Sequence, residues 1–136
     1  MSTITHNQAK QLNDAGIEIP EKEVTGCYNK NIPDSFISFE ANHNQKKIMK
    51  ASGFDEYYLK TTDLEGLWNM LSPNITDHYE SSKIKIYDKC LAANNTVFYI
   101  RSGMGRNEIW KDSAFYNIDP KQSIIDMLCY LKKEGM

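Results

Sequence analysis

KIKIYDKCLAANNTVFYIRSGMGRNEIWKDSAFY, residues 83–116, decides the fold. Its apolar positions repeat every two residues, the period of a strand, whereas the segments on either side repeat at 3.6. In KIKIYDKC, Ile84 and Ile86 fall on one face and Lys83 and Lys85 on the other. Ala93-Asn94-Asn95 reads as a turn, TVFYIR as a second strand and EIWKDSAFY as a third. Consecutive strands joined by short turns form an antiparallel meander.

Helix signals bracket this meander. Before it, Thr62-Asp63-Leu64-Glu65 has the spacing of a capping box, with the threonine as cap and Asp63 adding favourable charge to the first turn. Leu64, Leu67, Trp68 and Leu71 then share one helical face, which assigns Trp68 to the core, and Pro73 ends the run. Gly66 interrupts it at a cost of roughly 1 kcal/mol relative to alanine. After the meander, Asp119 caps a helix with Pro120 at its first position, and Gln122 completes the box. Ile124, Ile125, Leu128 and Leu131 form the buried stripe, Lys132 and Lys133 face the C-terminal dipole, and Gly135 is the stop.

Upstream, Thr5-His6-Asn7-Gln8 is a capping box for a helix to about Ala15, closed by Gly16. VTGCYNK and SFISFEA read as a hairpin around Asn31–Asp34, and YYLK as one more strand. ANHNQKKIMKASG, residues 41–53, admits a short helix from Asn42 on few apolar positions. The expected fold is therefore α+β: one domain over residues 1–136, with an antiparallel sheet of meander plus N-terminal hairpin and two to three helices on one face.

Composition narrows the functional classes. The 136 residues carry 16 basic and 18 acidic side chains, a formal charge of −2, which gives no global attraction to nucleic acid or anionic membrane. Cys27, Cys90 and Cys129 are odd in number and far apart, so a disulfide framework is not expected and a reducing cytoplasm is the simpler setting. The polar opening MSTITHNQAKQLNDAG has no apolar h-region, and no apolar run reaches the length of a membrane span. The triplets Asn74-Ile75-Thr76 and Asn94-Asn95-Thr96 read as polar loops.

Within the meander, YIRSGMGRNEIW (residues 99–110) sets Gly103 and Gly105 between Arg101 and Arg106. A phosphate-gripping loop needs a helix N-terminus behind the glycines, and here a strand follows, so the stretch reads as a hairpin. His6, His43 and His78 lack metal-ligand spacing, there is no Cys-x-x-Cys pair, and no nucleophile elbow exists. No metal, cofactor or catalytic residue is expected. Trp110 alternates with Asp112, which places it half-exposed as an interaction anchor. Lys83, Lys85, Arg101 and Arg106 complete the candidate binding residues. If Tyr87, Tyr99 or Trp110 shared the lysine face, bases could stack there while the cations met phosphates.

The α-β-β-β-α order resembles that of double-stranded RNA-binding domains. Such domains carry a lysine cluster at the start of the last helix, where this chain reads Asp119-Pro120-Lys121-Gln122. More of the chain resembles small uncharacterised proteins of bacteriophages and prophages. The matching blocks are NQAKQLNDAGIEIP (QAK-x-L-x-x-x-G-I-x-I-P), TTDLEGLWNMLSPNI (P-T-L-x-E-L-W-x-M-L-P) and IDPKQSIIDMLCYLKKEG (N-P-x-D-A-x-x-x-M-L-x-W-L-x-x-x-G). Thr61, Ser72 and Tyr130 depart from these patterns. The resemblance implies a phage or mobile-element setting and supplies no active site. The expected function is non-enzymatic binding of a host or phage protein in the bacterial cytoplasm, with a nucleic-acid-binding sheet face as the alternative.

Overall fold

Thr5 starts the first helix as its spacing requires. Its hydroxyl accepts from the backbone N–H of Gln8 at 3.2 Å, and the Gln8 side chain accepts from the backbone N–H of Thr5 at 2.9 Å. Helix α1 (His6–Asp14) buries Gln8, Ala9 and Leu12. It ends in a Schellman turn, with Gly16 at φ 74°, Ile17 N–H donating to the Leu12 carbonyl and Gly16 N–H to the Asn13 carbonyl.

The computed structural model describes residues 3–39, 54–80, 83–103 and 106–136; the segment expected as a short helix at 41–53 lies outside them. The chain is α+β and divides into two compact units, Met1–Met70 and Leu71–Met136. In the first unit, β1 (Gly26–Asn29) pairs antiparallel with both β2 (Ile37–Ser38) and β3 (Tyr58–Thr61), in the order β2-β1-β3. The expected hairpin and the extra strand are thus neighbours in one three-stranded sheet. A single turn, α2 (Phe54–Tyr57), leads into β3. Tyr28 ties α1 to this sheet: its hydroxyl donates to the Ile4 carbonyl at 2.9 Å and its ring meets His6 edge-on.

Helix α3 (Leu64–Met70) starts one residue later than the capping box suggests. Asp63 accepts from Gly66 N–H at 2.9 Å and is the cap. Thr62 is fully buried, and its hydroxyl donates to the Glu23 carbonyl at 2.6 Å. The helix is two turns long, so the four-residue stripe is only partly realised. Leu67 is buried in it, Leu71 lies past its end, and Trp68, expected in the core, is only half-buried.

The second unit is a four-stranded antiparallel sheet in the order β4 (Asn74–Glu80), β5 (Lys83–Leu91), β6 (Thr96–Gly103), β7 (Arg106–Tyr116), followed by α4 (Pro120–Lys133). The meander therefore has one strand more than expected: Asn74-Ile75-Thr76 is a strand and not a polar loop. Asn95, at φ 64°, closes the β5–β6 turn, with Ala92 N–H donating to the Thr96 carbonyl at 2.9 Å. Asp119 caps α4 by accepting from Lys121 N–H, and Ser123, Ile124, Ile125, Met127, Leu128 and Leu131 are buried.

One part of β7 departs from regular pairing. Phe98 pairs with Ala114 and Ile100 with Ile109, so Tyr99 alone stands opposite residues 110–113. Lys111 and Asp112 take up the excess at φ 52° and 51°. Left-handed conformations at non-glycine residues cost of order 1–2 kcal/mol each. Offsetting contacts are at hand: Lys111 meets Glu134 at 2.6 Å and lies over the Trp110 ring at 5.1 Å, and Trp110 and Phe115 both pack on Tyr130 of α4.

Gly66 resolves a conflict between local propensity and packing. Alanine in a helix interior gains roughly 1 kcal/mol over glycine. A Cβ at residue 66, however, would overlap the Thr62 hydroxyl, which is held by its bond to Glu23. Overpacking of this kind costs about 1–3 kcal/mol. Gly66→Ala is therefore expected to lower the urea midpoint, and a rise would show that Thr62 moves aside freely.

Candidate functional site

The candidate binding residues stand on the four-stranded sheet, so its two faces decide what they can do. Side chains alternate across a strand, and burying one fixes the side of every second neighbour. Tyr87 is 3% exposed, Tyr99 0%, Trp110 4% and Val97 0%. These residues mark the inner face, on which α4 packs against β6 and β7 and Trp110 meets Tyr130. Lys83, Lys85 and Lys89 share the parity of Tyr87 and lie on this same side. Ile84 and Ile86 are left on the other side, 54% and 53% exposed.

On the helix side, the expected sharing of a face by lysines and aromatic rings is present, but the rings are covered and offer no stacking surface. Trp110, expected half-exposed, is part of the core. Its strand parity is broken by the 111–112 bulge, so its alternation with Asp112 carried no information about exposure. The Tyr99 hydroxyl donates to the Ser72 carbonyl at 2.7 Å, and burial pushes its phenol up to about 12. Lys89 donates to the Leu71 carbonyl at 3.2 Å, and desolvation lowers its ammonium from the ordinary value.

Glu108 organises the far end of this face. It accepts from Lys85 Nζ at 3.2 Å and from the Tyr87 hydroxyl at 3.1 Å, and Arg101 Nη1 stands 3.7 Å away. Lys85 and Arg101, expected as phosphate contacts, meet a carboxylate instead, because Glu108 lies directly across from Arg101 in the β6–β7 ladder. Asp77 likewise lies opposite Lys85 in the β4–β5 ladder. Two of the four candidate cations are thus gathered around a carboxylate. Lys83 and Arg106 are exposed near the strand ends, and residues 104–105 lie outside the described residues.

The opposite face is mixed: exposed Asn74, Thr76 and His78 of β4 stand beside Asp88, Ile86 and Ile84, and the apolar residues gather on β5 to β7. Ile84 and Ile86 of β5, Phe98 and Ile100 of β6, and Ile109 of β7 share it, and Ile100 and Ile109 are direct ladder partners. Phe98, Ile100 and Ile109 are half-buried, and Tyr116 at the end of β7 is 65% exposed. Asp88 is exposed beside Ile100, and Thr96, Ser102 and Asn107 add uncharged polar groups to this face. An antiparallel sheet with one solvated face normally turns its polar residues outward. Here the outward face of β5 carries two isoleucines and the covered face carries the lysines.

Among the described residues, no group of three or more His, Cys, Asp or Glu side chains is placed to hold a metal ion, and no helix is long and apolar enough to cross a membrane. Cys27 is buried, which pushes its thiol up to about 11, and burial likewise raises Cys129. Neither carries the lowered pKa of a reactive thiolate. Comparison with protein-family models, curated proteins and solved structures finds no match for the chain.

The Glu108 cluster has a pH signature. The hydrogen bond from Lys85, then that from Tyr87, hold the Glu108 carboxyl below its ordinary value of 4.5. A carboxyl depressed on folding stabilises the protein above its unfolded pKa, and that contribution is lost as pH falls through the folded value. Glu108→Gln is therefore expected to melt below the wild type at pH 7, with the gap closing as pH falls below about 4. A gap of constant size across a Tm-versus-pH series would contradict this.

Proposed function

We propose that the protein is a non-enzymatic interaction module of a phage or mobile element, docking a host or phage protein through the outer face of its four-stranded sheet. The observation that carries this reading is the outward placement of Ile84, Ile86, Phe98, Ile100 and Ile109. Large apolar side chains turned outward on one sheet face mark an interaction site. The sequence resemblance to phage and prophage proteins adds the setting, the cytoplasm of a bacterial host, and modulation of a host process as the purpose.

The chemistry of this face defines the partner. With Asp88 and several uncharged polar side chains around its isoleucines and phenylalanine, it is suited to a weakly charged protein surface. It offers nothing to a phosphate backbone, since Lys85 and Arg101 stand on the covered side with Glu108. Binding here works by burying area. Each isoleucine removed from water contributes about 1.5–3 kcal/mol, which is at least tenfold in affinity.

The test is capture from host lysate with paired variants. The wild-type chain is expected to retain one protein in stoichiometric amount. Ile84→Lys/Ile86→Lys should reduce that affinity at least a hundredfold without lowering the melting temperature, because both side chains already face solvent. Lys83→Ala/Arg106→Ala should leave capture intact. Undiminished capture by the isoleucine variant would overturn the assignment of the face. Salt-sensitive retention of nucleic acid, lost in the basic-residue variant, would overturn the protein-binding reading itself.

A further inference from the structure

The two edges of the four-stranded sheet are built differently. On β7 the Lys111–Asp112 bulge, with both residues at positive φ, breaks the row of backbone groups that another strand would need. No described strand lies beyond β4, and Asn74–Glu80 contains neither proline nor lysine, the residues that commonly guard an edge. An inward charge can also guard an edge, but Asp77 stands opposite Lys85 of β5, which offsets it.

Which backbone groups β4 presents follows from its pairing with β5. Pro73, one step before the Asn74↔Asp88 pair, accepts from the backbone N–H of Lys89 at 3.2 Å. Bonded and non-bonded pairs alternate along an antiparallel ladder. Ile75 and Asp77 therefore bond to β5, whereas Asn74, Thr76 and His78 turn their N–H and C=O groups to the open side. The ladder shifts between His78 and Glu80, so the regular edge is 74–78, centred on Thr76. An antiparallel copy of this segment fits it, with Thr76 against Thr76 and Asn74 against His78, all on the outer face. Threonine pairs stabilise neighbouring strands, and an asparagine amide can donate to an imidazole. A register centred on Asp77 would instead set like charges directly opposite, which is destabilising.

We propose that a second copy of this chain adds to the β4 edge with Thr76 on a two-fold axis, joining two four-stranded sheets into one continuous sheet. Asn74, Thr76 and His78 of each protomer then bond to the same segment of the other. The outer faces run on across the axis, and the Ile84 and Ile86 of each protomer flank the joined β4 strands, since they stand beside His78 and Thr76. The dimer leaves these isoleucines exposed, so it extends the docking face without occupying it.

The experiment is sedimentation equilibrium of the full chain, paired with cross-linking of single cysteines in a chain freed of its native thiols. The wild type should show a monomer–dimer equilibrium. Thr76→Pro removes only an outward N–H, and Thr76→Lys, at an exposed position, sets two ammonium groups face to face. Each should keep the amide spectrum of a folded chain and weaken the dimer at least tenfold. Under mild oxidation Thr76→Cys should give a disulfide-linked dimer, because opposed bonded residues have Cα atoms about 5.5 Å apart. Asn74→Cys and His78→Cys should each stay monomeric alone and cross-link when mixed. Ile84→Lys/Ile86→Lys should dimerise as the wild type does. A wild type monomeric up to about 1 mM, an unchanged dimer in either Thr76 variant, or cross-linking of Asn74→Cys or His78→Cys alone would overturn the proposal. So would loss of the dimer in the isoleucine variant, which would mean that copies pack face to face.

Discussion

Burying Tyr87 on the inner face of the sheet determines where every other side chain of β5 stands. Strand side chains alternate, so the face that takes Tyr87 also takes Lys83, Lys85 and Lys89, and the opposite face takes Ile84, Ile86 and Asp88. A tyrosine and two lysine stems buy less apolar burial than two isoleucines would, but β5 is not free to choose alone. Its partners bring Ile75, Tyr99 and Val97 to the same side, and β7 adds Trp110. Together these outweigh the isoleucines. The polar cost is met locally: the Tyr87 hydroxyl and the Lys85 ammonium both end on Glu108, and Lys89 ends on the Leu71 carbonyl.

Much of the fold was legible because it rests on local chemistry. The box at Thr5, the Schellman glycine at Gly16, the Asp119-Pro120 start of α4 and its buried stripe need only neighbours within one or two turns, and each stands where the spacing puts it. The strand β4 was hidden for an equally physical reason. It is an edge strand, with Asn74, Thr76 and His78 exposed and Ile75 buried, so its composition resembles that of a loop. In α3, Asp63 and Thr62 both offered side-chain oxygens for the cap. What separates them is Glu23, distant in sequence, which takes the Thr62 hydroxyl.

The candidate site was legible in its pattern but not in its sense. KIKIY announces two chemically different faces, and nothing in those residues says which one a helix will cover. The exchange of roles between the tryptophans has the same origin. Trp68 sits on a helix too short to carry its whole stripe inward, and Trp110 follows the pairing imposed by the Lys111–Asp112 bulge. A bulge shifts register after the point where alternation can be counted, so exposure read from period alone fails beyond it. The basic character of the sheet dissolves similarly, since Glu108 is seven residues from Arg101 in sequence and directly opposite it in the ladder.

The inverted β5 is thus the central claim, because the interaction surface exists only if the isoleucines face outward. Thiol-labelling rates along this strand measure it most directly, using single cysteines at positions 84, 86 and 87 in a chain freed of its native thiols. Cysteines replacing Ile84 and Ile86 should label close to the rate of the unfolded chain, and one replacing Tyr87 should be strongly protected. Protection at 84 and 86 with fast labelling at 87 would place the isoleucines in the core and remove the surface altogether.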